Sequence, residues 1–170
     1  MRIEIRKVLP EDSEKYVQTH IDCWKAAYRD IIPDEFLDNM QNQLEQRTES
    51  VRQTLQDPGD RCFYCAQIDE NIVGRLIFGK DQEESNPDIG EIHAIYLLEE
   101  YWGKGYGTQM LDFALTELKN AGYQKIHIWV LEKNHRARRF YEKHGFRLDE
   151  EKKDLELGKV LTTIRYSLDI

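Results

Sequence analysis

The sequence has few of the features that mark secreted, fibrous or membrane-spanning proteins. Its 170 residues include only three cysteines and four prolines. No apolar run approaches the roughly 18 residues that a membrane-spanning helix needs, and the opening residues MRIEIR contain no apolar signal-peptide core. These absences argue against a disulfide framework and predict free thiols in a cytoplasmic protein without a membrane segment.

Positive charge is also scarce. The chain has 24 Lys and Arg against 32 Asp and Glu, a formal net charge of -8. Nucleic-acid binding depends on clustered basic side chains, so we predict no nucleic-acid partner. The five histidines show no metal-ligand spacing, and the thiols of Cys62 and Cys65 would point to opposite faces of a strand. We therefore predict no metal.

Composition and periodicity indicate a single domain over residues 1–170, with 40% hydrophobic residues to form its core. Alternation and apolar runs predict strands at residues 3–6, 62–68, 72–78, 89–98, 125–131, 146–148 and 160–168. Helical spacing predicts helices after residue 12, from about 34 to 55, after residue 107 and at 134–144. This order is typical of an α+β or mixed α/β fold with helices packed on a mixed sheet.

A glycine loop at residues 102–108, WGKGYGT, lies between a predicted strand and a predicted helix. Closely spaced glycines let backbone N–H groups bind an anion at a helix N-terminus, which suits a phosphorylated cofactor. The spacing matches neither the dinucleotide fingerprint nor the P-loop. A turn without a ligand, and a nucleotide-binding protein that uses this loop, remain open alternatives.

The context of the loop is more specific. The segment EIHAIYL precedes it at residues 91–97, and NHRARRFYEKHGF follows at 134–146. With the loop, these segments resemble the GNAT superfamily of N-acetyltransferases, over about residues 62–146. The resemblance implies a mostly antiparallel central sheet flanked by helices, acetyl-CoA as cosubstrate, and transfer of its acetyl group to a primary amine by direct attack.

The resemblance also implies roles for particular residues. Trp102 stands where the family has Gln or Arg, so that side-chain contact to the pyrophosphate is not carried over. Tyr141 matches the family tyrosine that protonates the departing thiolate. The implied cofactor-binding residues are Ile95, Tyr96, Leu97, Trp102, Gly103, Lys104, Gly105, Tyr106, Gly107, Thr108 and Asn134. Taken without the family, Asn134 is a helix N-cap and Tyr141 a core aromatic.

The amine must lose a proton before it attacks the thioester, so a proton acceptor is needed. We assign this role to Glu91, in the strand where family members often place a carboxylate, with His93 as the alternative. Strict alternation would place both on one face with Ile95 and Leu97. A solvated position at the rim of the site is the competing interpretation for Glu91.

The N-terminal helices should cover the acceptor. Their acidic and aromatic residues favour a small amine or polyamine slightly over a protein or peptide amine. These residues are Asp22, Trp24, Tyr28, Asp30 and Glu35. A non-catalytic acetyl-CoA-binding regulatory module remains an alternative, and the resemblance makes a homodimer plausible.

Overall fold

The computed structural model describes residues 2–170, which form seven strands and five α-helices. The strands are β1 (Glu4–Lys7), β2 (Arg61–Ile68), β3 (Asn71–Lys80), β4 (Ile89–Leu97), β5 (Lys125–Leu131), β6 (Arg147–Glu156) and β7 (Val160–Asp169). The helices are α1 (Ser13–Ala27), α2 (Asp34–Asn42), α3 (Leu44–Gln56), α4 (Tyr106–Asn120) and α5 (His135–Lys143). Within residues 2–170, no helix combines the length and the apolar character needed to cross a membrane.

The strands form one sheet in the order β1-β2-β3-β4-β5-β7-β6. Every neighbouring pair is antiparallel except β4 and β5, which are parallel. A parallel pair needs a long crossover connection, and α4 forms part of it. The predicted mixed, mostly antiparallel sheet flanked by helices is confirmed.

The parallel pairing of β4 and β5 is short. It joins Ile89 to Lys125 and ends with Glu91 opposite His127. Beyond that point β4 pairs only with β3, and β5 only with β7. The two strands therefore diverge and leave a gap in the middle of the sheet, the β4–β5 opening, between residues 92–97 and 128–131.

Helix α4 covers one face of the sheet. Its buried residues Met110, Leu111, Ala114 and Leu118 belong to the largest core cluster. Gly90 of β4 lets the helix approach closely, because a Cβ there would lie 3.1 Å from Leu118 Cδ2. This packing holds the N-terminus of α4 beside the β4–β5 opening.

Helices α1, α2 and α3 cover the opposite face. Tyr16 of α1 is fully buried in a cluster with Cys65 and Ile77 of the sheet. Further along, Tyr28 packs in a second cluster that reaches Leu131 at the end of β5. The end of α1 is thereby anchored next to the same opening that α4 borders from the other face.

A β-bulge interrupts β4 at His93. Ile77 of β3 lies opposite Ala94, whereas the next residue, Phe78, lies opposite Ile92. His93 is therefore the extra residue between them. A bulge of this kind bends the strand and changes the direction of its side chains.

The bulge overturns the expected alternation along β4. Ile92 and Ile95, three residues apart, both pack in the cluster beneath α4. Gly90 also faces α4, so Glu91 lies on the other face of the sheet. The expectation that Glu91 shares a face with Ile95 and Leu97 is wrong, because the extra residue shifts the pattern by one.

Two predicted boundaries also differ from the structure. The helical stretch from about 34 to 55 is divided at Gln43 into α2 and α3. Strand β6 extends to Glu156, eight residues beyond the predicted end at residue 148. Residues 149–156, DEEKKDLE, are largely exposed, so pairing with β7 rather than an apolar pattern makes them a strand.

Candidate active site

The β4–β5 opening leads, on the side of α4, into a cavity of about 270 Å³. Its walls come from the end of β4, the glycine loop, the first turn of α4, and parts of α1 and α5. The predicted cofactor-binding residues that line it are Ile95, Tyr96, Leu97, Trp102, Gly103, Gly105, Gly107 and Thr108. Among the described residues, Lys104 and Tyr106 are not part of its lining. We call this space the larger cavity, in contrast to a smaller cavity that adjoins it and is described below.

The glycine loop forms the start of α4 through left-handed backbone. Gly105 is the N-cap with φ +82°, and Gly103 has φ +71°. A Cβ at either residue would meet no atom within 4 Å, so backbone conformation rather than space requires glycine here. In the described residues no side chain caps α4. Its first-turn N–H groups, at the positive end of the helix dipole, can therefore accept an anion as a ligand beside the larger cavity.

Trp102 joins the loop to both β4 and α5. Its indole N–H donates to the Leu97 carbonyl over 2.7 Å. The guanidinium carbon of Arg136 lies 3.4 Å from the centre of the indole ring. Arg136 forms no ion pair with a carboxylate of the described chain. The residue as a whole is exposed, but desolvation of its guanidinium lowers its pKa. Where the family has Gln or Arg, the structure thus places an indole with a cation stacked on it.

The hydroxyl of Thr108 is engaged within the protein. Thr108 Oγ1 lies 3.1 Å from His144 Nε2, while His144 Nδ1 lies 2.7 Å from the Phe140 carbonyl oxygen. A carbonyl only accepts, so Nδ1 donates to it, and Nε2 is the ring atom that pairs with the Thr108 hydroxyl. This leaves the backbone of Thr108 as the part that can serve an anion.

The end of β4 has one free edge. Leu76 and Gly74 of β3 lie opposite Ile95 and Leu97 on one side. On the other side β5 has diverged, so within residues 2–170 no strand pairs with this edge. An extended ligand group can therefore pair with the backbone there as an added strand does.

A smaller cavity of about 60 Å³ lies within the β4–β5 opening. It shares six lining residues with the larger cavity, so the two meet through the sheet. These shared residues are Ala27, Ile95, Tyr96, Arg136, Ala137 and Tyr141. The geometry suits a reaction between two molecules that enter from opposite faces.

Tyr141 lies where the two cavities meet. Its side chain is buried, with 6% of the residue exposed. Burial raises the pKa of its phenol well above the usual value. No described group hydrogen-bonds its hydroxyl, and the ring packs against Phe140 and Phe146. The hydroxyl is therefore protonated at neutral pH and available to a ligand.

Two further tyrosine hydroxyls line the smaller cavity. Tyr28, the C-cap of α1, and Tyr96 of β4 are hydrogen-bonded to each other over 2.8 Å. Burial raises the pKa of both. With Tyr141 they place three protonated phenols around the opening.

Glu91 and His93 form a pair at the narrow end of the opening. His93 Nδ1 lies 3.3 Å from Glu91 Oε2. His93 lines the smaller cavity, and its Nε2 is buried without a hydrogen-bond partner among the described residues. Glu91 lines neither cavity within residues 2–170. The carboxylate thus lies beside the imidazole rather than in the cavity.

Asn134 is buried at the start of α5 and lines the smaller cavity. Its side-chain oxygen accepts a hydrogen bond from the Ala137 backbone N–H over 3.2 Å, so it caps the helix. The side-chain amide N–H groups have no hydrogen-bond partner among the described residues.

The acidic residues expected around the acceptor lie elsewhere. Asp22, Asp30 and Glu35 are exposed, and no carboxylate of the described chain lines either cavity. Trp24 and Tyr28 do lie near the opening, in an aromatic cluster with His20 and Tyr96.

Sequence reasoning missed Cys23 and Ala27, which line the larger cavity from α1. Their four-residue spacing places them on one face of the helix, but the sequence carries no signal for what that face meets. It also assigned no partner in the site to Arg136. Its stacking on Trp102 depends on tertiary structure alone.

Comparison with known proteins agrees with this architecture. Residues 19–146 match the acetyltransferase (GNAT) family. An uncharacterized N-acetyltransferase of Archaeoglobus fulgidus is 36% identical over 150 residues, 87% of this chain and 95% of the relative. A spermidine N(1)-acetyltransferase of Thermoplasma acidophilum is 25% identical over 156 residues, 88% of this chain and 91% of the relative. The structure of PaiA N-acetyltransferase from the same organism, in complex with coenzyme A, has a TM-score of 0.78 at 23% identity and covers 100% of both chains.

Proposed function

This chain belongs to the acetyltransferase (GNAT) family, and on that premise we propose that it transfers the acetyl group of acetyl-CoA to a primary amine by direct attack. The observation that carries the proposal is the pair of cavities that meet through the β4–β5 opening. Tyr141 lies at their junction, where a thioester and an amine would react.

The larger cavity suits acetyl-CoA. The N-terminus of α4 offers backbone N–H donors to the pyrophosphate, and Arg136 adds a cation. The free edge of β4 at Ile95 and Leu97 suits the amide groups of the pantetheine arm. A backbone N–H there would polarise the thioester carbonyl and stabilise the oxyanion that forms during attack.

The residues at the junction support direct transfer. In the proposed step the amine nitrogen attacks the thioester carbonyl carbon and the carbon–sulfur bond breaks. Tyr141 donates its proton to the leaving thiolate and regains one from the attacking nitrogen. Cys23 is the thiol in the larger cavity, but burial raises its pKa to about 12, so it is a poor nucleophile for an acetyl-enzyme.

The ammonium form of the acceptor must first lose a proton. We assign this step to the pair of Glu91 and His93. Among the described residues, His93 is the only histidine that lines the smaller cavity, and its Nδ1 lies 3.3 Å from Glu91 Oε2. Both residues lie at the narrow end of the opening.

We propose a small amine or polyamine as the acceptor class. The spermidine N(1)-acetyltransferase of Thermoplasma acidophilum and the net charge of -8 support it. Since no described carboxylate lines the cavities, the exposed acids would attract a cation from the surface rather than bind it at the reacting centre. A protein or peptide amine is the second candidate, favoured by the scarcity of acids inside.

An acceptor panel tests the proposal. Purified protein with acetyl-CoA is assayed for thiol release with polyamines, aminoglycosides, amino acids and peptides, and without acceptor. We expect release that depends on one class. Tight acetyl-CoA binding without release for any class would support the alternative of a non-catalytic regulatory module, and preferred binding of a nucleotide would contradict both.

We also propose that the protein is a homodimer in the cytoplasm. The family resemblance and the general frequency of two-fold oligomers support the dimer. Light scattering on the purified protein tests the dimer. Cell fractionation tests the location.

A further inference from the structure

We infer that His93, rather than Glu91, accepts the proton from the acceptor amine, and that Glu91 is a positioning residue. This inference rests on the proposed acetyl transfer and assigns the roles within the pair. Its starting point is the β-bulge, which makes His93 the extra residue of β4 and reverses the alternation of the strand beyond it.

The two residues differ in what they contact. His93 lines the smaller cavity, whereas Glu91 lies on the face of the sheet away from α4 and lines neither cavity of the described chain. Catalytic proton transfer needs the accepting atom within hydrogen-bond reach of the amine, directly or through one water. Of the pair, only His93 lines a cavity that an acceptor amine can enter.

The nitrogen atoms of His93 also have distinct partners. Nδ1 lies 3.3 Å from Glu91 Oε2, and Nε2 is buried with no described partner. A buried polar atom without a partner is costly and calls for a ligand or water. The Glu91 carboxylate favours the tautomer with the proton on Nδ1, which leaves a lone pair on Nε2, the atom without a described partner.

The proton balance follows from this arrangement. The acceptor ammonium gives one proton to His93 Nε2, which later releases it to solvent. The neutral amine then attacks the thioester carbonyl, and Tyr141 protonates the thiolate as the carbon–sulfur bond breaks. Tyr141 regains a proton from the attacking nitrogen, which leaves the neutral amide. The products are the acetylated amine, coenzyme A and one released proton.

Other ionisable groups surround His93, and each must be considered as a cause of any pH dependence of turnover. They are Glu91, Tyr28, Tyr96, Arg136 and Tyr141 around the pair, and His127 with Asp81 on the neighbouring strand and loop. Burial raises the pKa of the three tyrosines, so they stay protonated from pH 5 to 8. His127 Nδ1 is held 2.8 Å from Asp81 Oδ2, and His127 does not line the cavity of the described chain.

The test compares His93→Gln and Glu91→Gln with His135→Gln, a matched control at an exposed position on α5. With the best acceptor, the turnover of His93→Gln should fall roughly 100-fold or more, and any loss of rate at low pH that the wild type shows should disappear. Glu91→Gln should lose far less and keep that pH dependence. His135→Gln should match the wild type.

Two measurements separate a chemical role from a folding defect. Acetyl-CoA affinity and thermal unfolding are measured for every variant, and imidazole is added to His93→Ala, where restored turnover supports the inference. A His93→Gln variant with the wild-type rate and pH profile, or a Glu91→Gln variant that alone loses both, overturns it. A wild-type protein that transfers no acetyl group overturns the proposed function itself, a result distinct from either.

Discussion

Tyr141 is the residue whose replacement separates chemistry from binding. Tyr141→Phe keeps the ring that packs against Phe140 and Phe146 but removes the hydroxyl. We expect turnover to fall roughly 100-fold or more, because the thiolate then leaves unprotonated, with acetyl-CoA affinity nearly unchanged. Steady-state rates and calorimetric binding measure the two effects.

Tyr123→Phe is the matched control, since Tyr123 lies beyond the end of α4 and lines neither cavity of the described chain. It should leave both quantities unchanged. If Tyr141→Phe instead weakens binding as much as turnover, the tyrosine acts through packing.

His20 gives a prediction about stability and pH. Burial, and then the nearby Arg75 and Arg47, lower its pKa to about 2. The unfolded chain binds a proton below about pH 6.5, whereas the folded His20 does not. The free energy of unfolding therefore falls by up to about 1.4 kcal/mol per pH unit as the pH drops below 6.5, and this decrease ends only near pH 2.

Replacing His20 removes that contribution. Urea unfolding of His20→Gln should show a flatter fall in unfolding free energy between pH 6.5 and 4 than the wild type. The exposed His135→Gln serves as reference and should keep the wild-type slope. Equal slopes in all three proteins would mean that His20 is protonated in the folded state.

At the scale of elements, the glycine loop before α4 allows effects on stability and on acetyl-CoA binding to be separated. Gly105 and Gly59 both have positive φ, +82° and +60°, and a Cβ at either meets no atom within 4 Å. Alanine should therefore cost about 1–2 kcal/mol of stability at each. Only Gly105→Ala should also weaken acetyl-CoA binding, because it disturbs the N-terminus of α4.

Unfolding and binding measurements on the two variants test this. Equal acetyl-CoA affinity in both would show that the start of α4 does not hold the cofactor.

Helix α5 contributes Arg136, which stacks on Trp102. If its cation contacts the pyrophosphate, Arg136→Gln should raise the KM for acetyl-CoA roughly 10-fold. This change corresponds to the loss of about 1.5 kcal/mol, a typical contribution of a hydrogen bond to a charged group. S-acetylpantetheine lacks the phosphates, so its KM should not change.

Arg139→Gln, at an exposed position on the same helix, is the control. An increase confined to the KM of the acceptor would place the Arg136 cation on the acceptor side instead.

The sequence predicted the elements of the site better than their side-chain geometry. Tyr141 was assigned only through the resemblance of its segment to the family, whereas the loop at 102–108 could be identified from its glycine spacing. The β-bulge at His93 could not, because it arises from pairing with β3 and leaves no pattern in β4 itself. The stacking of Arg136 on Trp102 joins residues 34 positions apart, beyond the reach of periodicity.

For the whole molecule, the sheet order and the place of the opening follow from one parallel pair among antiparallel ones. The mixed sheet was predictable from the order of strands and helices. The length of β6 was not, since a charged, exposed strand carries no hydrophobic signal. The same limit applies to the acceptor, because the exposed acids that suggested a cation do not line the cavities of the described chain.

The central claim is direct transfer of the acetyl group through the opening. Mass spectrometry of a quenched reaction with acetyl-CoA and an active acceptor tests it most directly, with the masses of the protein and the acceptor measured separately. Direct transfer predicts one added acetyl group on the acceptor, an unmodified protein, and no thiol release when the acceptor is omitted. An acetylated protein that passes its acetyl group to the acceptor would contradict it.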